Sequence, residues 1–188
     1  MMAASSKGEA LNAFSVVPYD SDWDQWYEQE RRALRDRVSS GFLELEHIGS
    51  TAVSGLDAKP IIDVMAAVAH IDHCESIVLS LEEYGYIFIE TGMPNRLLFR
   101  RRSAEGRIFH LHLVEASTWD SRKERLMRDY LRVHPDAAAA YGRLKKKLAQ
   151  ECAGDSLTYT RRKTDFIQAI MDRAYAERGL PSSNVWED

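Results

Sequence analysis

One charged residue interrupts an otherwise apolar stretch: in Pro60-Ile61-Ile62-Asp63-Val64-Met65-Ala66-Ala67-Val68 only Asp63 is ionisable. Burying an unpaired carboxylate is costly, so Asp63 must be hydrogen-bonded, ion-paired, protonated or bound to a metal. Thirteen positions earlier stands Gly49-Ser50-Thr51. Glycine there lets backbone amides approach phosphate oxygens closely, and serine adds a hydroxyl. A Gly-Ser turn at a strand end, a connector and then a strand bearing aspartate form a phosphate-and-metal arrangement. The structural alternative is that Asp63 caps a helix or pairs with Lys59 or an arginine; position alone weighs the two evenly.

A second group of reactive side chains lies in Phe109-His110-Leu111-His112-Leu113. Residues two apart on a strand share a face, so His110 and His112 project together while their neighbours enter the core. Paired imidazoles suit metal ligation or, when protonated, phosphate binding. An isolated His-x-His on a wet sheet face is often inert. The pair gains meaning where Asp63 and His47 converge on it.

These residues need elements to position them. Phe42–Ile48, Pro60–Val68, Tyr86–Glu90, Arg96–Arg101 and Arg107–Val114 read as strands, the last three as a meander joined by turns. Helical patterns run over Trp23–Val38, Asp72–Tyr84, Ser121–Val133, Asp136–Cys152 and Thr160–Arg178. The order predicts an α+β (mixed α/β) fold. Residues 14–180 read as a single domain, 1–13 as a disordered segment and 181–188 as a tail.

The 188 residues are 45% hydrophobic and 29% charged, proportions of a globular chain rather than a disordered one. About 70% of the unfolded surface can be buried at this length, so the core needs no disulfide. Cys74 and Cys152 have no ligand spacing and read as buried thiols in a reducing compartment. No apolar run approaches the ~20 residues of a membrane span, and residues 1–13 lack a signal-peptide core. The expectation is a cytoplasmic protein.

The net charge of −4 is unevenly spread: residues 1–95 carry six Lys/Arg against sixteen Asp/Glu, and residues 96–188 nineteen against thirteen. Such a split permits a positively lined cleft facing an acidic half, suited to holding an anionic ligand over a metal site. The run Lys145-Lys146-Lys147 reads as a solvated face, whereas Tyr159 and Lys163, four apart, share a helix face that should meet the cleft. Overall acidity and the lack of an aromatic stacking motif weigh against nucleic acid, despite Arg100-Arg101-Arg102. A small-molecule or nucleotide ligand is expected, and no membrane. Trp119 and Trp186 read equally as interface, core or tail residues, and oligomeric state is not legible.

The string His47-Ile48-Gly49-Ser50-Thr51-Ala52-Val53-Ser54-Gly55-Leu56, followed by Lys59-Pro60-Ile61-Ile62-Asp63-Val64, resembles the signature of the GrpB-like family. The similarity runs from about Val16 to Ala176. It includes Tyr19, Trp23, the His110-Leu111-His112 strand and Tyr159, Lys163 and Phe166. That family belongs to the nucleotidyltransferase superfamily, the fold of kanamycin nucleotidyltransferase and DNA polymerase beta. The resemblance implies a central mixed sheet, flanking helices and a helical C-terminal part. It also implies that the Gly-Ser turn binds a triphosphate, and that two carboxylates one residue apart, with a third on a later strand, ligate Mg²⁺. Asp63 matches the first carboxylate. Met65 occupies the second position, and the later strand offers His110 and His112.

That substitution suits one softer ion such as Mn²⁺ or Zn²⁺ better than two Mg²⁺ ions. The leading expectation is therefore metal-dependent nucleotidyl transfer to a small molecule, with Asp63, His110 and His112 catalytic. Gly49, Ser50, Thr51, Lys59, Arg100 and Lys163 would hold phosphate, and Asp63, His112, His110 and His47 the ion (Mg, Mn or Zn). The alternatives are a catalytically silent nucleotide-binding module and a metal-assisted hydrolase with His110 or His47 as general base.

Overall fold

The computed structural model describes residues 15–38, 41–93, 95–152 and 155–185. The expected disordered segment 1–13 and Trp186 lie outside them. Helix α1 (Asp22–Arg37) is followed by strand β1 (Glu44–Ile48), a short 3₁₀ turn at Ser50–Ala52 and strand β2 (Ile61–Val68). Helix α2 (Glu75–Glu83) leads into β3 (Ile87–Ile89), β4 (Arg96–Arg102) and β5 (Ile108–Glu115). Helices α3 (Lys123–Val133), α4 (Pro135–Glu151), α5 (Ser156–Arg161) and α6 (Thr164–Glu177) complete the order.

The sheet runs β1-β2-β5-β4-β3. Strands β3, β4 and β5 form the expected antiparallel meander, and β2 joins it through a parallel pairing with β5. That pairing sets Asp63 directly beside His110, and Met65 beside His112. Strand parity then sorts the side chains. Val64, Leu111, Leu113 and Phe99 are fully buried on the face covered by α1 and α2, where they meet Trp23, Leu34, Ile77 and Leu81. Asp63, His110 and His112 occupy the opposite face.

Two expectations about the helices change. The helix expected over Thr160–Arg178 is two, α5 and α6, because Asp155 caps an earlier start: its Oδ1 accepts from the Leu157 and Thr158 amides. The chain turns at Arg162–Lys163 before α6. Helix α2 begins at Glu75 rather than Asp72, after a 3₁₀ turn at Ile71–His73. Trp119 is core, packed on Ile48, Met65, Ala67 and Val114. Cys74 and Cys152 are buried free thiols. Of the expected tail, Val185 folds back, its amide donating to Gln168 Oε1 while its side chain packs with Met171 and Tyr175. No helix among the described residues is long and apolar enough to cross a membrane.

Candidate functional site

The turn after β1 is forced into its shape by Gly49, whose φ of +72° is left-handed. A Cβ built there would overlap Asp63 Oδ2 and lie 3.1 Å from both Cβ and Cγ of Asp63. Thr51 locks the turn: its hydroxyl donates to the Ile61 carbonyl at 3.0 Å and its oxygen meets His47 Nε2 at 3.0 Å. Helix α3 braces the same segment from outside. Arg128 donates to the His47 carbonyl at 2.9 Å and to Glu46 at 2.6 Å, and Arg132 donates to the Ala52 carbonyl at 2.9 Å.

Beside the turn opens a cleft of about 200 Å³, lined by Ser50, Thr51, Lys59, Asp63, His110, Tyr141, Lys145, Tyr159 and Lys163 among others. Three ammonium groups enter it. Lys145 Nζ donates to Ser50 Oγ at 2.8 Å and sits 4.6 Å over the Tyr141 ring. Lys59 and Lys163 place their Nζ atoms 4.5 and 4.3 Å from the centroid of Tyr159. Burial lowers the Lys59 pKa. Burial, with Lys163 nearby, brings Lys145 down to about 7. Burial and Lys59 bring Lys163 down to about 8. Crowded, poorly solvated cations of this kind are relieved by an anion.

On the sheet side, Asp63 Oδ1 lies 3.4 Å from His110 Nδ1 and 3.6 Å from His112 Nε2. Burial works to raise the Asp63 pKa, but the two imidazoles outweigh it and hold the carboxyl well below the ordinary carboxylate range. His112 Nδ1 is buried without a hydrogen-bond partner. A neighbouring cavity of about 210 Å³ contains His112 and Glu124 and shares Ser50, Asp63 and Tyr141 with the cleft.

Of the sequence-predicted residues, the cleft brings together Ser50, Thr51, Lys59, Asp63, His110 and Lys163. Gly49 and His112 line the adjoining cavity. Thr51 spends its hydroxyl inside the protein, so it supports the turn and does not offer a donor to a ligand. Arg100 stands opposite His110 in the β4–β5 register, on the same face, but is exposed and outside the cleft lining.

His47 leaves the expected ligand set. It pairs with Val64 in register and therefore points to the α1 face, stacked on Tyr27 at 4.7 Å. Its Nδ1 faces Asp24 at 3.5 Å, and burial pushes its pKa down to about 4. The lysine run also divides. Lys145 is 3% exposed, Lys146 pairs with Asp57 at 2.6 Å, and Lys147 stays solvated. Lys145 is missed by reading the run as one surface. Yet Ala138, Tyr141, Lys145 and Leu148 all lie on the buried stripe of α4, a helical period visible in the sequence.

The donors do not fit the paired magnesium ions that the resemblance implies. One carboxylate stands where two are needed, and Met65 is packed among apolar side chains. Among the described residues, no group of three or more His, Cys, Asp or Glu is arranged to hold a metal ion. Positive charge in this cleft comes from lysines.

A family model described as GrpB protein matches residues 13–173. The chain belongs to the GrpB family. The UPF0157 protein PA4798 of Pseudomonas aeruginosa is 37% identical over 88% of this chain and 69% of its own. The crystal structure of the conserved protein GrpB from Enterococcus faecalis superposes with a TM-score of 0.79 at 33% identity, covering 88% of this chain and 99% of that one. Cid1 poly(U) polymerase with Mg 3′-dATP bound gives a TM-score of 0.53 at 13% identity over 83% of this chain and 50% of its own. That likeness concerns the fold, and this GrpB chain has the nucleotidyltransferase fold.

Proposed function

We propose that the cleft binds a nucleoside triphosphate by its phosphates and transfers the nucleotidyl group to a small molecule, within one domain spanning residues 14–180. The observation that carries the reading is the convergence of Lys59, Lys145 and Lys163 on one cleft that Ser50 and Asp63 also line. The partly desolvated ammonium groups of Lys59 and Lys163 meet the charge of a polyphosphate and stabilise charge that develops on departing pyrophosphate, with Lys145 bonded to Ser50 beside them. Ser50 offers its hydroxyl to a phosphate oxygen, and Gly49 keeps the turn backbone within reach. His110 and His112, held against Asp63, border the place where a reacting phosphorus would lie. In this reading the lysines do the neutralising work expected of a divalent ion, and none of the expected ions (Mg, Mn or Zn) is assigned a ligand set.

A second reading, a nucleotide-binding module without turnover, is favoured by Met65 in the position of the second carboxylate. Calorimetry with each of the four ribonucleoside triphosphates, run beside a pyrophosphate-release assay, separates the two. Binding with release supports transfer, and binding without release supports the module. Ser50→Ala should weaken binding about tenfold to a hundredfold. Failure of every triphosphate to bind would overturn both readings.

A further inference from the structure

We infer that Ser50 is a nucleophile and Lys145 its general base, and that nucleotidyl transfer passes through a covalent Ser50 intermediate. The inference rests on the triphosphate reading above. The two groups share a 2.8 Å hydrogen bond and line the same cleft, Ser50 from the turn after β1 and Lys145 from α4. Lys145 is almost fully buried and Ser50 half-buried at the cleft surface. A hydroxyl is a weak nucleophile until an adjacent base takes its proton, and a desolvated lysine is one of the few side chains able to do so near neutral pH. The groups bearing on Lys145 are Lys163 from the α5–α6 turn, Asp57 from the loop before β2 and Asp63 from β2, with Tyr141 on its own helix. Burial and Lys163 favour the neutral amine; the two carboxylates oppose them and are outweighed.

The three-lysine cleft selects an anionic electrophile, which points to phosphorus rather than a neutral ester. In the first step Ser50 Oγ forms a bond to the α-phosphorus and its proton passes to Lys145 Nζ. The bond from that phosphorus to the bridging oxygen breaks, and pyrophosphate leaves with the electron pair, its charge met by Lys59 and Lys163. In the second step an acceptor hydroxyl attacks the same phosphorus, gives up its own proton to solvent, and the Lys145 ammonium returns the stored proton to Ser50 Oγ. Two displacements at one serine do not require the second carboxylate that Met65 replaces.

The test is incubation of the full chain with ATP labelled at the α-phosphorus, followed by denaturation and mass mapping. Label on Ser50, stable to acid as a serine phosphodiester, is the expected result. The labelling rate should rise with pH through the Lys145 titration near 7. Lys145→Arg retains the charge but not the base; it should still bind ATP by calorimetry and lose labelling by about 100-fold or more. ATP binding without label overturns the inference and leaves the triphosphate reading intact. Acid-labile label on His110 overturns it too, as does full labelling of Lys145→Arg. Absence of ATP binding refutes the underlying reading, and the inference with it.

Discussion

The Asp63 carboxylate rests against the backbone of Gly49, in space that any larger residue at position 49 would claim. The Gly49–Ser50 turn and the strand bearing Asp63 are thereby fixed to one another by contact.

Gly49→Ala should act on both at once. The left-handed φ of +72° strains any side chain, and the new methyl group drives into Asp63. The expected loss is about 2–4 kcal/mol of stability, read from urea midpoints. ATP affinity should fall with it even at temperatures where the variant is folded. A variant as stable as the parent would show that the contact is not close.

Proton uptake should accompany triphosphate binding. Lys163, brought down to about 8, is only partly charged at pH 8, and an anion draws it to the ammonium form. Calorimetric enthalpies measured in HEPES and in Tris should differ in proportion to the buffers' ionisation enthalpies. Affinity should fall by about tenfold or more between pH 7 and pH 9. Buffer-independent enthalpies would contradict the burial of Lys163.

The same burial sets the sign of a stability change. The folded-state pKa of Lys145, about 7, lies below its unfolded value of 10.5, so between these limits the unfolded chain binds the extra proton. Lys145 therefore contributes stability that rises with pH across that window and is lost as pH falls through about 7. Lys145→Met should flatten the rise and be more stable than the parent at pH 6, measured by chemical denaturation at each pH.

Chelation should cost little. With lysines meeting the phosphates, ATP affinity in EDTA should remain within about tenfold of that in magnesium. On that reading Asp63 faces the phosphates as an anion, so Asp63→Asn should tighten binding in EDTA about three- to tenfold. Complete loss of binding in EDTA would assign the phosphates to a metal instead.

Much of this site is visible in the chain. Asp63 betrays itself as the one charge in an apolar strand, the Gly49 turn by its residue types, and His110 with His112 by a period of two. Tyr159 and Lys163, expected on one helix face, both reach the cleft, although α5 ends at Arg161 and Lys163 lies in the turn after it. Lys145 is hidden by its neighbours, because three successive lysines look solvated unless the helical stripe of α4 is traced through the middle of the run. His47 misleads because it adjoins the turn in sequence, while strand alternation sends it to the other side of the sheet. The break between α5 and α6 is decided by a cap at Asp155, a local bond that overrides a continuous helical pattern. Arg128 and Arg132 of α3 brace the turn without a local signal, since each donates to a backbone carbonyl some eighty residues earlier.

The hydrogen bond from Lys145 to Ser50 spans 95 positions of the chain. Contacts of such long range close late and lower the folding rate more than local ones do. Asp63 and His110 belong to the sheet and Lys145 to α4, so the cleft exists only where helix and sheet are packed together. An anion that needs all three lysines therefore recognises only the finished molecule. On the reading proposed above, such an anion would stabilise the folded state over the unfolded one as its concentration rises past its dissociation constant.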